Sequence, residues 1–209
     1  MESKSVVGLG ITAKKGGLSM TQARVAVLLL ACSVLLFTSV LAQSQPFTIG
    51  IRDACDPGTF NANVGPGTCK PGHHGTTKFK FFIGELQSDQ IAGAWRFNPL
   101  LNATQGIFQL VTVNLASGQT TSLQNRGGET HTFTKVASFG GGFVPPLNQL
   151  SGNPNPAPEC LQPPSDTFIL VEAGETEAGP TAGTVALPVG VNHFQCCIHP
   201  WMRMTINVQ

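Results

Sequence analysis

Phe194-Gln195-Cys196-Cys197-Ile198-His199-Pro200-Trp201-Met202 is the stretch whose reading decides the fold. It offers a thiolate, an imidazole and a thioether within seven residues, spaced Cys-x-x-His-x-x-Met. A cysteine followed by histidine at i+3 brings Sγ and a ring nitrogen to one point if the chain leaves a strand and turns tightly. Pro200 favours such a turn. This soft donor set suits copper better than zinc or calcium. A zinc site would more often recruit a second cysteine or a carboxylate into a closed tetrahedron. The missing ligand is a second imidazole, and the best source upstream is Asn125-Arg126-Gly127-Gly128-Glu129-Thr130-His131-Thr132-Phe133, where a turn delivers His131 to the start of a strand.

Working outward, Met202, Met204, Ile206 and Val208 alternate with Arg203, Thr205, Asn207 and Gln209, the period of a half-buried strand. Short apolar runs punctuated by turn residues recur upstream: 94–97, 107–115, 120–124, 131–136, 167–171, 183–188, 193–198 and 202–208. Eight such segments predict an antiparallel β-sandwich. With 24 glycines, 15 prolines and only 11 % charged residues, the composition excludes a coiled coil or helical bundle. The connection 139–165 is long for a compact domain and needs a staple or a function, and Cys160 lies inside it. Further upstream, Cys55 and Cys69 flank a Gly- and Pro-rich loop suited to a local disulfide. Phe79, Phe82, Ile83 and Leu86 sit at i, i+3, i+4, i+7, which favours a short helix over the strand that Lys-Phe-Lys-Phe also suits.

The two histidine-bearing segments resemble the cupredoxins, the small blue-copper family, and especially their amicyanin-like and plastocyanin-like members. The resemblance rests on the Cys-x-x-His-Pro-aromatic-Met form of 196–202 and on the Asn-containing turn before His131. It implies an all-β, Greek-key β-sandwich over 91–209, preceded by an N-terminal extension, 43–90, that has no counterpart in the minimal family domain. It also implies one type 1 copper ion in a plane of His131, Cys196 and His199, with Met202 as the weak axial ligand. Met204 competes for that axial role, because a longer histidine-to-methionine spacing also occurs among plastocyanin-like members. Asn125 is expected in the turn, not on the metal. Strand parity sends Cys197 to the face opposite Cys196, so Cys197 is free to bond elsewhere. Cys55–Cys69 with Cys160–Cys197 is then the simplest of three pairings.

The first 42 residues read as an export signal. Lys4, Lys14, Lys15 and Arg24 precede an uncharged run of 18 residues, Val25 to Ala42. The run also reaches the length of an uncleaved anchor, and Cys32 sits in a loose lipidation motif. Each reading places the remainder outside the cytoplasm, in a periplasm or the extracellular space, with membrane attachment only if the segment is retained. Removing 1–42 takes the formal charge from +1 to −2 and leaves five cysteines of six, an odd number. No basic excess exists for nucleic acid. His73-His74 reads as a solvated turn, His193 as a surface or edge histidine, Arg126 and Glu129 as solvated, and Asn102-Ala103-Thr104 as a formal glycosylation sequon.

Three functions compete. Electron transfer follows from a fixed donor set around one copper, with a transient redox partner docking beside His199, Pro200 and Trp201 on a monomer. A carrier or storage protein would show more exchangeable Met and His ligands. A metal-free, disulfide-stabilised sandwich leaves the odd cysteine and His-Pro-Trp-Met unexplained. A multicopper oxidase needs His-x-His pairs, which the sequence lacks, and four protein ligands leave no open position for substrate.

Overall fold

In a computed structural model, the described residues are 45–72, 75–88, 92–99, 111–161, 168–180 and 187–209. The segment 1–42 read as an export signal (with its Cys32), His73-His74, the sequon at Asn102 and most of the strand expected at 183–188 lie outside them.

Among the described residues, nine strands form two sheets. The first has the order β2-β1-β4-β7, built from β1 (Phe47–Arg52), β2 (Arg96–Pro99), β4 (Thr121–Asn125) and β7 (Thr176–Ala178). The second has the order β3-β9-β8-β5-β6, from β3 (Val111–Leu115), β5 (His131–Val136), β6 (Phe168–Val171), β8 (Gly190–Gln195) and β9 (Arg203–Val208). The chain changes sheet on either side of β3, between β4 and β5, and on either side of β7. This is a Greek-key sandwich, and the all-β reading holds. The expectation of purely antiparallel pairing does not: β1 runs parallel to β4 and β3 parallel to β9. Each parallel pair joins strands separated by crossings to the other sheet, so no hairpin constrains their direction.

The core lies between the sheets. Ile49, Ile51, Phe97 and Leu123 of the first sheet meet Leu115, Phe133, Val171, Phe194 and Ile206 of the second, all buried. Phe97 stands edge-on to Phe133 at 5.1 Å, and Phe133 stacks on Phe194 at 4.3 Å. Alternation drives this arrangement: in β9 Met204, Ile206 and Val208 are at most 1 % exposed.

Residues 44–209 form one unit, and β1, from the segment before residue 91, sits between β2 and β4. Two helices follow it. In α1 (Pro57–Asn63), Asp56 accepts the Thr59 N–H at 2.9 Å and Pro57 occupies the first turn. The predicted amphipathic helix forms as α2 (Phe79–Gln87), with Phe82 and Leu86 buried. Phe60, Phe79, Phe82 and Trp95 make one aromatic cluster with centroid separations of 4.6–6.1 Å. The long connection after β5 holds α3 (Pro145–Leu150) and a 3₁₀ turn, Pro158–Leu161.

Candidate metal centre

Cys196 follows β8 directly and its side chain is fully buried at one end of the core. The loop after it closes tightly: the Met202 N–H donates to the His199 carbonyl at 2.9 Å and the Cys196 N–H to the Met202 carbonyl at 3.0 Å. His199 is thereby folded back over the cysteine. From the neighbouring strand, His131 opens β5. Its position is set by Asn125, whose Nδ2 donates to the carbonyls of Glu129 (2.8 Å) and Val171 (3.1 Å) while its Oδ1 accepts the Gly127 N–H. Asn125 is thus a turn residue, as the sequence implied.

Three donor atoms converge. Cys196 Sγ lies 3.8 Å from Nδ1 of His131 and 3.8 Å from Nδ1 of His199, and the two Nδ1 atoms are 3.2 Å apart. All three residues are buried, with exposures of 0–3 %. Two backbone N–H groups, of Thr132 and His199, donate to Sγ at 3.4 Å each. Burial alone would push the thiol up, yet hydrogen bonds and charge from His131 and His199 hold it well below the usual thiol range.

The far nitrogens face carboxylates. His131 Nε2 meets Asp53 Oδ2 at 2.9 Å, with both side chains fully buried. Burial would lower the His131 pKa, but the Asp53 hydrogen bond and the thiolate push it up to about 10 in the metal-free chain. Asp53 itself, despite burial, is held below the usual carboxylate range by His131 and by the N–H groups of Glu129 and Gly128. Glu129 Oε2 lies 3.7 Å from His199 Nε2 and accepts the Trp95 Nε1–H. The expectation of a solvated Glu129 is therefore wrong: it is 6 % exposed, and desolvation raises its pKa. The turn that carries it folds inward, because Asp53 binds the adjacent backbone amides. Arg126 is exposed as expected.

Cys197 points the other way. It joins Val136, Ala157 and Cys160 in a second, smaller cluster on the outer side of the sheet. Cys160–Cys197 and Cys55–Cys69 are disulfides, with Cα separations of 5.4 and 6.1 Å. Among the described residues Cys196 is the free cysteine. The Cys160 loop approaches so closely that a Cβ on Gly142 would collide with the Cys197 carbonyl. Thr132 ties the pair down, its Oγ1 accepting the Cys197 N–H at 2.7 Å. His193 is half-buried and lies edge-on to Phe139.

The donor chemistry fits copper: one anionic sulfur and two imidazole nitrogens, buried, each ring turned so that Nδ1 faces the thiolate. Metal bonds of about 2.0–2.3 Å around one centre require donor separations of about 3–4 Å, the range found here. Met202 (1 % exposed) and Met204 (0 %) are both buried. Their neighbours differ: Met204 pairs across the sheet with Phe194, whereas the Met202 backbone bonds to Cys196 and His199. Sequence reasoning missed Asp53 and the inward Glu129. The acidic residue directly after the alternating run 47–52 was the available signal.

No family model matches the chain, and no curated protein matches it. Among solved structures it is similar to a novel purple cupredoxin from Nitrosopumilus maritimus (14 % identity, 78 % of this chain and 98 % of that one, TM-score 0.37). It is also similar to a variant of amicyanin in the reduced Cu(I) form (16 %, 48 % and 71 %, TM-score 0.30). A third is auracyanin A, a "blue" copper protein from Chloroflexus aurantiacus (21 %, 47 % and 85 %, TM-score 0.29). The superpositions are loose, so the functional reading rests on this chain's own donor geometry.

Proposed function

We propose that this chain is an exported one-electron carrier that holds a single type 1 copper ion through His131, Cys196 and His199, with Met202 as axial ligand. The observation that carries the reading is the convergence of Cys196 Sγ with both Nδ1 atoms inside a buried shell. Copper, when bound, supplies a couple between Cu(I) and Cu(II). The chain's part is to keep one ligand arrangement for both states, so that little rearrangement opposes transfer. His131 is clamped by Asp53 and the Asn125 turn, Cys196 by two N–H groups, and the 196–202 loop by its own backbone bonds. Support for Met202 over Met204 comes from its place beside Cys196 in the loop, with Met204 beside Phe194 in the core. A site closed on this scale favours electron transfer over catalysis. The disulfides and the N-terminal charge pattern support export to an oxidising compartment. Among the described residues, no helix is long and apolar enough to cross a membrane.

A partner would dock transiently near His199, Pro200 and Trp201. His199 and Pro200 are buried, and Trp201, lying edge-on to His199 at 5.4 Å, is the member of the three that reaches the surface. The decisive experiment is to load the purified chain with Cu(II) and record its visible spectrum. An intense thiolate-to-copper band is expected, and Cys196→Ser should abolish it. A colourless Cu(II) complex, or full colour in Cys196→Ser, defeats the proposal.

A further inference from the structure

Asp53 stands 78 positions before His131 in sequence, in the segment that follows β1. Its carboxylate is a four-way acceptor. Oδ1 takes the N–H of Gly128 at 2.9 Å and of Cys55 at 3.3 Å, while Oδ2 takes the N–H of Glu129 at 3.0 Å and meets Nε2 of His131 at 2.9 Å. One side chain therefore fastens the turn before β5 and the far side of the ring that the turn delivers. The side chain is fully buried, and of these four donors only His131 is a side chain. An anion buried among neutral amides needs a nearby positive charge to be retained. The second carboxylate, Glu129, is placed differently, since its 3.7 Å separation from His199 is beyond hydrogen-bond range.

We infer that Asp53 is a positioning residue of the copper centre: it holds the proton of His131 on Nε2, keeps Nδ1 turned toward Cys196, and with its negative charge favours the oxidised ion. The inference rests on the copper reading above. A carboxylate on the outer nitrogen of a ligating histidine fixes tautomer and orientation and makes the ligand more basic, and losing such a partner typically lowers metal affinity about 10–100-fold. The charge has a defined sign. A fixed anion stabilises Cu(II) more than Cu(I), so it lowers the reduction potential.

Asp53→Asn and Gly127→Ala separate the two roles. Asn can still accept the His131 proton through Oδ1 but carries no charge. A Cβ on Gly127 would collide with the Asp53 carboxylate and crowd its backbone nitrogen, displacing the carboxylate from the ring while leaving its charge in the chain. Each variant is loaded with copper, its potential is measured by redox titration of the thiolate-to-copper band, and its Cu(II) affinity by chelator competition. Asp53→Asn is expected to shift the Cu(I):Cu(II) preference at least tenfold toward Cu(I), which for a one-electron couple is about 59 mV upward. Gly127→Ala is expected to lose Cu(II) affinity 10-fold or more with a smaller change in potential. If Asp53→Asn fails to fold, Gly127→Ala alone decides. A coloured wild type whose folded variants keep its potential and affinity overturns the inference and leaves the copper reading standing. A wild type that binds Cu(II) without colour takes both down.

Discussion

Cys196 and His131 enter metal binding in unequal protonation states. In the metal-free chain the thiol is held well below its usual range, whereas His131 is pushed up to about 10. At pH 7 the lowered thiol pKa favours the anionic sulfur, while the imidazole still carries its extra proton. Binding a metal at Nδ1 must expel that proton. The expected outcome is release of about one proton per copper at pH 7, with affinity rising as pH increases until about 10 and then levelling. Calorimetry of copper uptake in buffers of different ionisation enthalpy measures this directly; zero protons released would show that His131 is neutral beforehand. The three converging donors were legible in the sequence because Cys196 and His199 sit in one loop and His131 follows a turn. Asp53 was not legible, since its partner lies 78 positions away and an acid in a Gly- and Pro-rich segment looks solvated until the turn closes over it.

At the scale of elements, the strands with strong alternation were the readable ones. The run expected at 131–136 forms β5 over those same residues, and 202–208 differs from β9 by one residue. Two strands were missed. In β1, Phe47, Ile49 and Ile51 alternate cleanly, but the run sits between an apolar stretch and a turn-rich loop whose composition hides it. In β7, Thr176–Ala178, all three residues are exposed, so no hydrophobic pattern marks the strand and only its pairing with β4 creates it. Likewise α3 opens with Pro145-Pro146, which reads as a breaker but also suits a first helical turn. The Cys160–Cys197 bridge makes this connection part of the metal end, closing 37 residues of sequence. By the chain-entropy model it stabilises the fold by about 4 kcal/mol. A Cys160→Ala/Cys197→Ala variant should lose about 2–5 kcal/mol in a urea unfolding curve, and a loss under 1 kcal/mol would mean that the loop is held by its other contacts.

Across the whole molecule, the segment 43–90 read from sequence as an extension supplies a strand between β2 and β4, the carboxylate on His131, and three of the aromatic side chains around Trp95. That cluster continues to the metal end through Phe82, 6.0 Å from Trp201, which in turn meets His199. A chain beginning at residue 92 would expose Phe97 and Leu123 and leave β4 with β7 as its one remaining partner. It should therefore fail to give a dispersed amide NMR spectrum and should bind copper without the intense band. A well-folded, coloured fragment would show that residues 92–209 are self-sufficient.

The opposed placement of Cys196 and Cys197 has a consequence for maturation. Neighbouring residues on a strand exchange faces when its register slips by one, so a misaligned β8 would send the Cys197 sulfur into the core and offer Cys196 to Cys160. Both products would satisfy every cysteine on paper, yet only one leaves Cys196 facing His131 and His199. What selects between them is the alignment of a single hairpin, β8 with β9, in which Phe194 faces Met204 and Gln195 faces Arg203. Closing that hairpin before Cys160 is oxidised therefore favours the Cys160–Cys197 bridge found here.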